Sequence, residues 1–194
     1  PATMDCVERI RGISLRSQDP LAAPLYDRVA ALGFHLLGQH EKALGHAELA
    51  LAHPSVQRRS RRDGVFFYDH KTSAGSHYAR TLWLSGRPDQ AAAVVRDTIE
   101  DAAASDQPFA FGYFLVFGAC PVSLWAGDWA LARRLVSRVL DVAAGIAFNV
   151  WQMGGRLYEL ALEFLAEGGD PRSPARARLL NETALTPYQA ESLS

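Results

Sequence analysis

Six histidines, two cysteines and a run of arginines are the residues through which this chain could do chemistry. His40, Glu41 and His46 come near a helical zinc motif, but the spacing fails. Ligands at i and i+4 share a helix face, whereas residues six apart point to opposite sides. His70 and His77 are seven apart and share a face, and Asp69 adds a carboxylate, yet these do not complete a ligand set. No metal is expected. Cys6 and Cys120 are too few for a cysteine zinc site, and Cys120 lies in an apolar stretch where a thiol acts as a small hydrophobe. No disulfide is expected, and a reducing, cytoplasmic setting is. The chain has no G-x-S-x-G elbow, and Cys120 has no base near it in sequence. Glu100 and Asp101 adjoin on a polar helix face, where carboxylates are solvated. Neither a catalytic residue nor a cofactor is expected.

Arg58, Arg59, Arg61 and Arg62 form a basic run suited to phosphate, but no aromatic residue interleaves them for base stacking. A solvated loop is the expectation. With 20 basic against 21 acidic residues there is no global attraction to nucleic acid or anionic lipid. The aromatics Phe109, Phe111, Tyr113, Phe114, Phe117, Trp125 and Trp129, with Phe66, Phe67, Tyr68 and Trp83, are expected mostly in a core. They cannot all point inward: Tyr113 and Phe117 share one helix face, while Phe111 and Phe114 lie on another. The surplus would line a groove that binds peptides or small molecules. Candidate groove residues are His35, His70, Arg80, Tyr113, Phe117, Asn149, Gln152 and Arg156.

Helices must position these side chains. Leu25, Val29, Leu32 and Leu36 fall at steps of three and four; so do Ala91, Val95, Thr98, Ile99 and Ala102, and then Leu131, Leu135, Val136, Val139 and Leu140. No run alternates at period two. Between Asp106 and Asp128 there is no charged side chain, a length that could span a bilayer. Gln107, Pro108, Gly112, Gly118, Pro121 and Ser123 interrupt it and no basic cluster flanks it, so a buried core helix is expected.

Three segments align: LLGQHEKAL at 36–44, LSGRPDQAA at 84–92 and WAGDWALAR at 125–133. Each pairs a glycine with an alanine five positions on: Gly38 with Ala43, Gly86 with Ala91, Gly127 with Ala132. Glycine closes the first helix of a hairpin in the left-handed conformation. Pro88 suits a first helical turn, Asp128 can cap one, and alanine lets the paired helices cross closely. A fourth copy is expected from Gly169, with Ala175 as the small residue after a one-residue slip. The glycines are 48, 41 and 42 residues apart, longer than the roughly 34-residue tetratricopeptide unit. The fold expected is all-α: a right-handed superhelical array of antiparallel hairpins, tetratricopeptide-like, in one domain over 1–194, with hairpins at about 21–53, 68–104, 108–144 and 146–182. Starting at Pro1 and stopping at Ser194, the chain reads as a piece of a larger protein that exposes an apolar face at its ends.

Residues 66–102 and 121–143 resemble the C-terminal helical-repeat region of bacterial transcriptional regulators with an N-terminal winged helix and a central signal-transduction ATPase. Tyr68–Asp69, Leu82 to Gly86 and Trp125 to Trp129 carry the likeness, and Cys6 to Leu51 resembles preceding repeats. It covers about 1–167; the C-terminal end departs from the pattern. These are packing motifs, and the chain has no phosphate-cradling glycine-rich loop and no visible winged helix. The resemblance implies a non-catalytic part that senses a ligand or partner and passes its state to the ATPase. Implied partners are a protein or peptide, other domains of the parent protein, a small-molecule effector, or a second copy, but neither nucleic acid nor membrane. A structural oligomerisation or scaffold module without a ligand is the rival expectation, and an enzyme on a helical toroid a third.

Overall fold

The computed structural model describes residues 2–54, 69–103, 107–146 and 149–184. Among them the chain forms nine helices and no strand, so the all-α expectation holds. They are α1 (Ala2–Ser14), α2 (Ala22–Leu36), α3 (His40–Ala52), α4 (His70–Leu84), α5 (Pro88–Ala103), α6 (Pro108–Trp125), α7 (Trp129–Ile146), α8 (Asn149–Ala166) and α9 (Pro174–Ala184). The arginine run at 58–62 and Phe66, Phe67 and Tyr68 lie outside the described residues.

The same glycine turn recurs along the chain. Gly38, Gly86 and Gly127 take φ of 71°, 74° and 70°, a region closed to most side chains. Each donates its N–H to the carbonyl three residues back, and the next residue donates to the carbonyl five back: Gln39 to Phe34, Arg87 to Leu82, Asp128 to Ser123. This paired bond satisfies the last carbonyls of one helix while reversing the chain into the next. Gly168 repeats the pattern, with Gly169 donating to Phe164. The fourth turn is therefore centred on Gly168 and not on Gly169. Its loop is longer, running through Asp170 to Ser173, whose hydroxyl caps α9 by accepting from the Arg176 N–H at 3.1 Å. Ala43, Ala91, Ala132 and Ala175 are all fully buried past these turns.

Close helix approach builds the core. On α2 the buried residues are Pro24, Ala30, Ala31 and Gly33, while Leu25 is 36% and Leu36 66% exposed. The expected leucine stripe is thus not the inner face of this helix. At Gly33 the reason is the approach of α1: a Cβ there would stand 2.7 Å from Val7. The stripes of α5 and α7 do turn inward: Ala91, Val95, Ala102, Leu135, Val136 and Val139 are buried.

Helix α4 sits at the centre, packed against α2, α3, α5 and α6. A Cβ on Gly118 would come within 3.0 Å of the Ser76 Cα, so α4 and α6 nearly touch backbone to backbone. Among the described residues α6 is the one helix long and apolar enough to cross a membrane, and most of it is buried by its neighbours. Within it, Leu115–Ala119 widens into π turns, where the Cys120 N–H reaches the Leu115 carbonyl.

Candidate functional site

The central helix buries polar side chains. Thr72, Ser73, Ser76, His77 and Thr81 are each at most 2% exposed, along a seam that α2 and α6 flank. Asp69 caps the helix, accepting from the Lys71 N–H at 3.0 Å and from the Thr72 hydroxyl at 2.6 Å. Ser76 donates to the Ser73 carbonyl and Thr81 to the His77 carbonyl, both at 2.7 Å. Arg28 of α2 donates to the Ser73 hydroxyl at 3.1 Å. A buried hydroxyl is tolerated only with such partners.

His77 lies at the middle of the seam. Its Nδ1 is 3.1 Å from Nη2 of Arg80, and its Nε2 is 3.2 Å from the Tyr113 hydroxyl. A guanidinium only donates, so Nδ1 must accept. The ring is therefore neutral with its proton on Nε2, which donates to Tyr113. Burial pushes its pKa down to about 3, assisted by Arg80, Arg28 and His35. His35 follows the same logic. Its Nδ1 is 2.9 Å from the Thr81 hydroxyl, whose own hydrogen goes to the His77 carbonyl, so His35 Nδ1–H donates. Burial, then Arg80 and His40, push His35 down to about 4, which leaves a neutral ring whose Nε2 is an acceptor.

Arg80 is half-buried and, among the described residues, makes no ion pair. Its Nε is buried without a hydrogen-bond partner. Nη2 spends one hydrogen on His77. Burial lowers its pKa, and the ionisable groups that oppose this are Tyr113 and Tyr158 rather than carboxylates. An unmatched donor on a cation costs about 1–3 kcal/mol or more in such surroundings, so this guanidinium is poorly served by the described residues.

Beside it stands an aromatic tier. The Tyr113 and Phe117 rings are 4.8 Å apart, and Trp151 of α8 closes on them at 6.0 and 5.8 Å. Tyr113 and Phe117 remain half-buried, while Phe111 and Phe114 are buried. Trp125 and Trp129, expected in the core, are 44% and 42% exposed because they flank the Gly127 turn at the end of the hairpin.

Of the candidate groove residues, His35, Arg80, Tyr113 and Phe117 join one chain of contacts: His35 through Thr81, Arg80 and Tyr113 through His77, and Phe117 through Tyr113. His70, the first residue of α4, lies two turns before His77; it is half-buried, and burial and Arg28 lower its pKa. Gln152 and Arg156 are exposed on α8, and Arg156 pairs with Glu159 at 3.2 Å. No described contact brings either to the seam. The Asn149 side chain lies outside the described residues. Sequence reasoning missed Arg28, Ser73, His77, Thr81, Trp151 and Tyr158 as seam residues; the one available signal was His70, His77 and Arg80 at spacings of seven and three.

The other candidates fall away on geometry. Cys120 is fully buried and its thiol is pushed up to about 12, which removes the thiolate a nucleophile needs. His46 is 2.8 Å from Asp27 and stacks on Phe34, and His40 faces His35 at 5.7 Å. No three His, Cys, Asp or Glu side chains gather around a cation position among the described residues. An open cleft of about 340 Å³ lies between α7 and α8, and another of about 570 Å³ lies between α5, α6 and α7. Neither is lined by His77, Arg80 or Tyr113. No family model, curated protein or solved structure matches the chain.

Proposed function

We propose that the chain is a ligand-sensing or protein-interaction domain of a bacterial transcriptional regulator, non-catalytic itself. Its hairpins would stack as a right-handed tetratricopeptide-like superhelix in the cytoplasm, with α2, α4 and α6 lining the inner groove. The glycine turn repeated at Gly38, Gly86, Gly127 and Gly168 supports the stacking, and the sequence likeness to such regulators supports the setting. One observation carries the sensing reading: the half-buried Arg80 guanidinium, which meets no carboxylate among the described residues. A binder retains such unmatched groups for its partner, whereas a purely structural core tends to pair or replace them. Occupation of the groove would shift repeat curvature or contacts with neighbouring domains of the parent protein.

A specific observation favours the oligomerisation alternative. Leu36, Leu84, Trp125 and Trp129 are exposed beside successive glycine turns, and an apolar edge of this kind suits contact with another copy. Thermal-shift screening of the purified chain against metabolites and peptides, run beside a sizing column, separates the two. A dose-dependent rise in melting temperature is expected for a sensor. A stable dimer with no ligand response would displace that reading.

A further inference from the structure

We infer that the Arg80–Tyr113–Phe117 corner of the groove binds a small organic acid, its carboxylate on the Arg80 guanidinium and a flat apolar body against the Tyr113–Phe117 ring pair. This deepens the sensing reading by naming a ligand class, and it rests on that reading.

Charge is the first argument. Arg80 brings a permanent positive charge into a half-buried position, and among the described residues it forms no ion pair. The titratable neighbours that α2, α4 and α6 contribute do not neutralise it. His35 and His77 are neutral bases, and Tyr113 accepts a hydrogen bond from His77. Tyr158 of α8 donates its proton to the Val116 carbonyl. Each is a dipole, and none is an anion. The missing partner is therefore an acceptor with negative charge.

Geometry restricts the head group. His35 and His77 are held uncharged by burial and by the hydrogen bonds they make, so they add no second positive charge beside Arg80. Arg28 donates to the Ser73 hydroxyl on the same seam. The planar fork of arginine matches a carboxylate edge to edge. His77, fixed by Tyr113, accepts from Nη2 and holds the fork in orientation.

The body follows from the next turns of α6. Tyr113 and Phe117 are neighbours on one face, tilted at 48° with centroids 4.8 Å apart, backed by Trp151. Their half-exposed faces would cover a ring or short chain held by its carboxylate at Arg80. The neutral His35 Nε2 offers an acceptor for a hydroxyl or amine on the same ligand. A free aromatic acid and the C-terminal carboxylate of a peptide share this chemistry, and the test separates them.

The test is an NMR titration of the intact chain with benzoate, acetate, phenyl phosphate, and a phenylalanine-terminated peptide in free-acid and amidated forms, observing the His77 ring nitrogens and the Arg80 Nε. Benzoate should give saturable shifts at both, with acetate weaker. Arg80→Gln should weaken benzoate at least about tenfold, the loss of one charge-assisted bond. Phe117→Leu should weaken benzoate more than acetate, and exposed Arg156→Gln should change neither. Helical circular dichroism of Arg80→Gln guards against unfolding, and Phe117→Leu keeps the test decisive if it unfolds. Benzoate shifts that survive Arg80→Gln, or shifts confined to the free-acid peptide or to phenyl phosphate, overturn the assignment. No shift with any acid also overturns it. In that case a thermal-shift response to uncharged metabolites or internal peptides would leave the sensing reading standing, and its absence would remove both.

Discussion

The Tyr158 hydroxyl donates to the Val116 carbonyl at 2.7 Å, and α6 cannot satisfy that carbonyl itself. In the π turns the Cys120 N–H goes to the Leu115 carbonyl, so the next bond in the ladder would run from residue 121 to Val116. Residue 121 is proline, which has no N–H. A phenol from α8 replaces the missing donor, and its pKa is raised by burial, which keeps the proton in place. Tyr158→Phe should therefore cost about 1–3 kcal/mol, the penalty of a buried unpaired acceptor. Pro121→Ala in that background should recover part of the loss by restoring an N–H. Urea unfolding of the double-mutant cycle measures the coupling, and additive effects would show that the proline and the phenol are unrelated.

Acid should destabilise the chain through its buried histidines. In the folded state His77 is held at about 3 and His35 at about 4, while the unfolded value is roughly 6.5. Below that value the unfolded chain takes up protons that the folded chain refuses. Stability is fully present above about pH 6.5 and drains as pH falls, through about 3 for His77 and about 4 for His35. For His77 the loss by pH 5 is on the order of 2 kcal/mol. Melting curves at pH 7.5 and 5 should show the drop, and His77→Phe should remove its share while leaving that of His35. A melting temperature unchanged across that interval in the parent chain would contradict the buried neutral ring.

Arg80 should matter little for stability. Arg80→Gln keeps an amide N–H for His77 Nδ1 and removes a half-buried cation that makes no ion pair among the described residues. Unfolding free energies should agree within about 1 kcal/mol. The pKa of His77 should rise yet stay below the ordinary histidine value, because burial is the larger cause. A loss above roughly 2 kcal/mol would mean that the guanidinium is satisfied structurally after all.

Glycines divide by backbone conformation. Gly86 at φ 74° has open space around its Cβ position, so Gly86→Ala isolates backbone strain and should cost about 1–2 kcal/mol. Gly45 lies inside α3, exposed and also with open space, so Gly45→Ala should stabilise by about 0.5–1 kcal/mol. Chemical denaturation of both variants checks the opposite signs; a neutral Gly86→Ala would remove the argument that these turns require glycine.

Helix content was legible because burial at steps of three and four needs only local order, and the glycine turns because few other residues enter the left-handed region. The inner face of α2 was not. Its leucines look like a core stripe, but Ala30, Ala31 and Gly33 are the buried residues, and the close approach of α1 at Gly33 is visible only in the distance between helices. The seam was half legible. His35, Arg80, Tyr113 and Phe117 could be named from helix and polarity, whereas His77 was weighed only as a metal ligand.

By itself the sequence determined that the chain is helical and where left-handed glycines turn it back, since both follow from propensities of a few adjacent residues. The tertiary structure alone decided which polar groups meet. Among the described residues Arg80 makes no ion pair, His77 is neutral and Tyr158 finds Val116 because helices far apart in sequence pack together, and desolvation is a property of that packing rather than of any residue type.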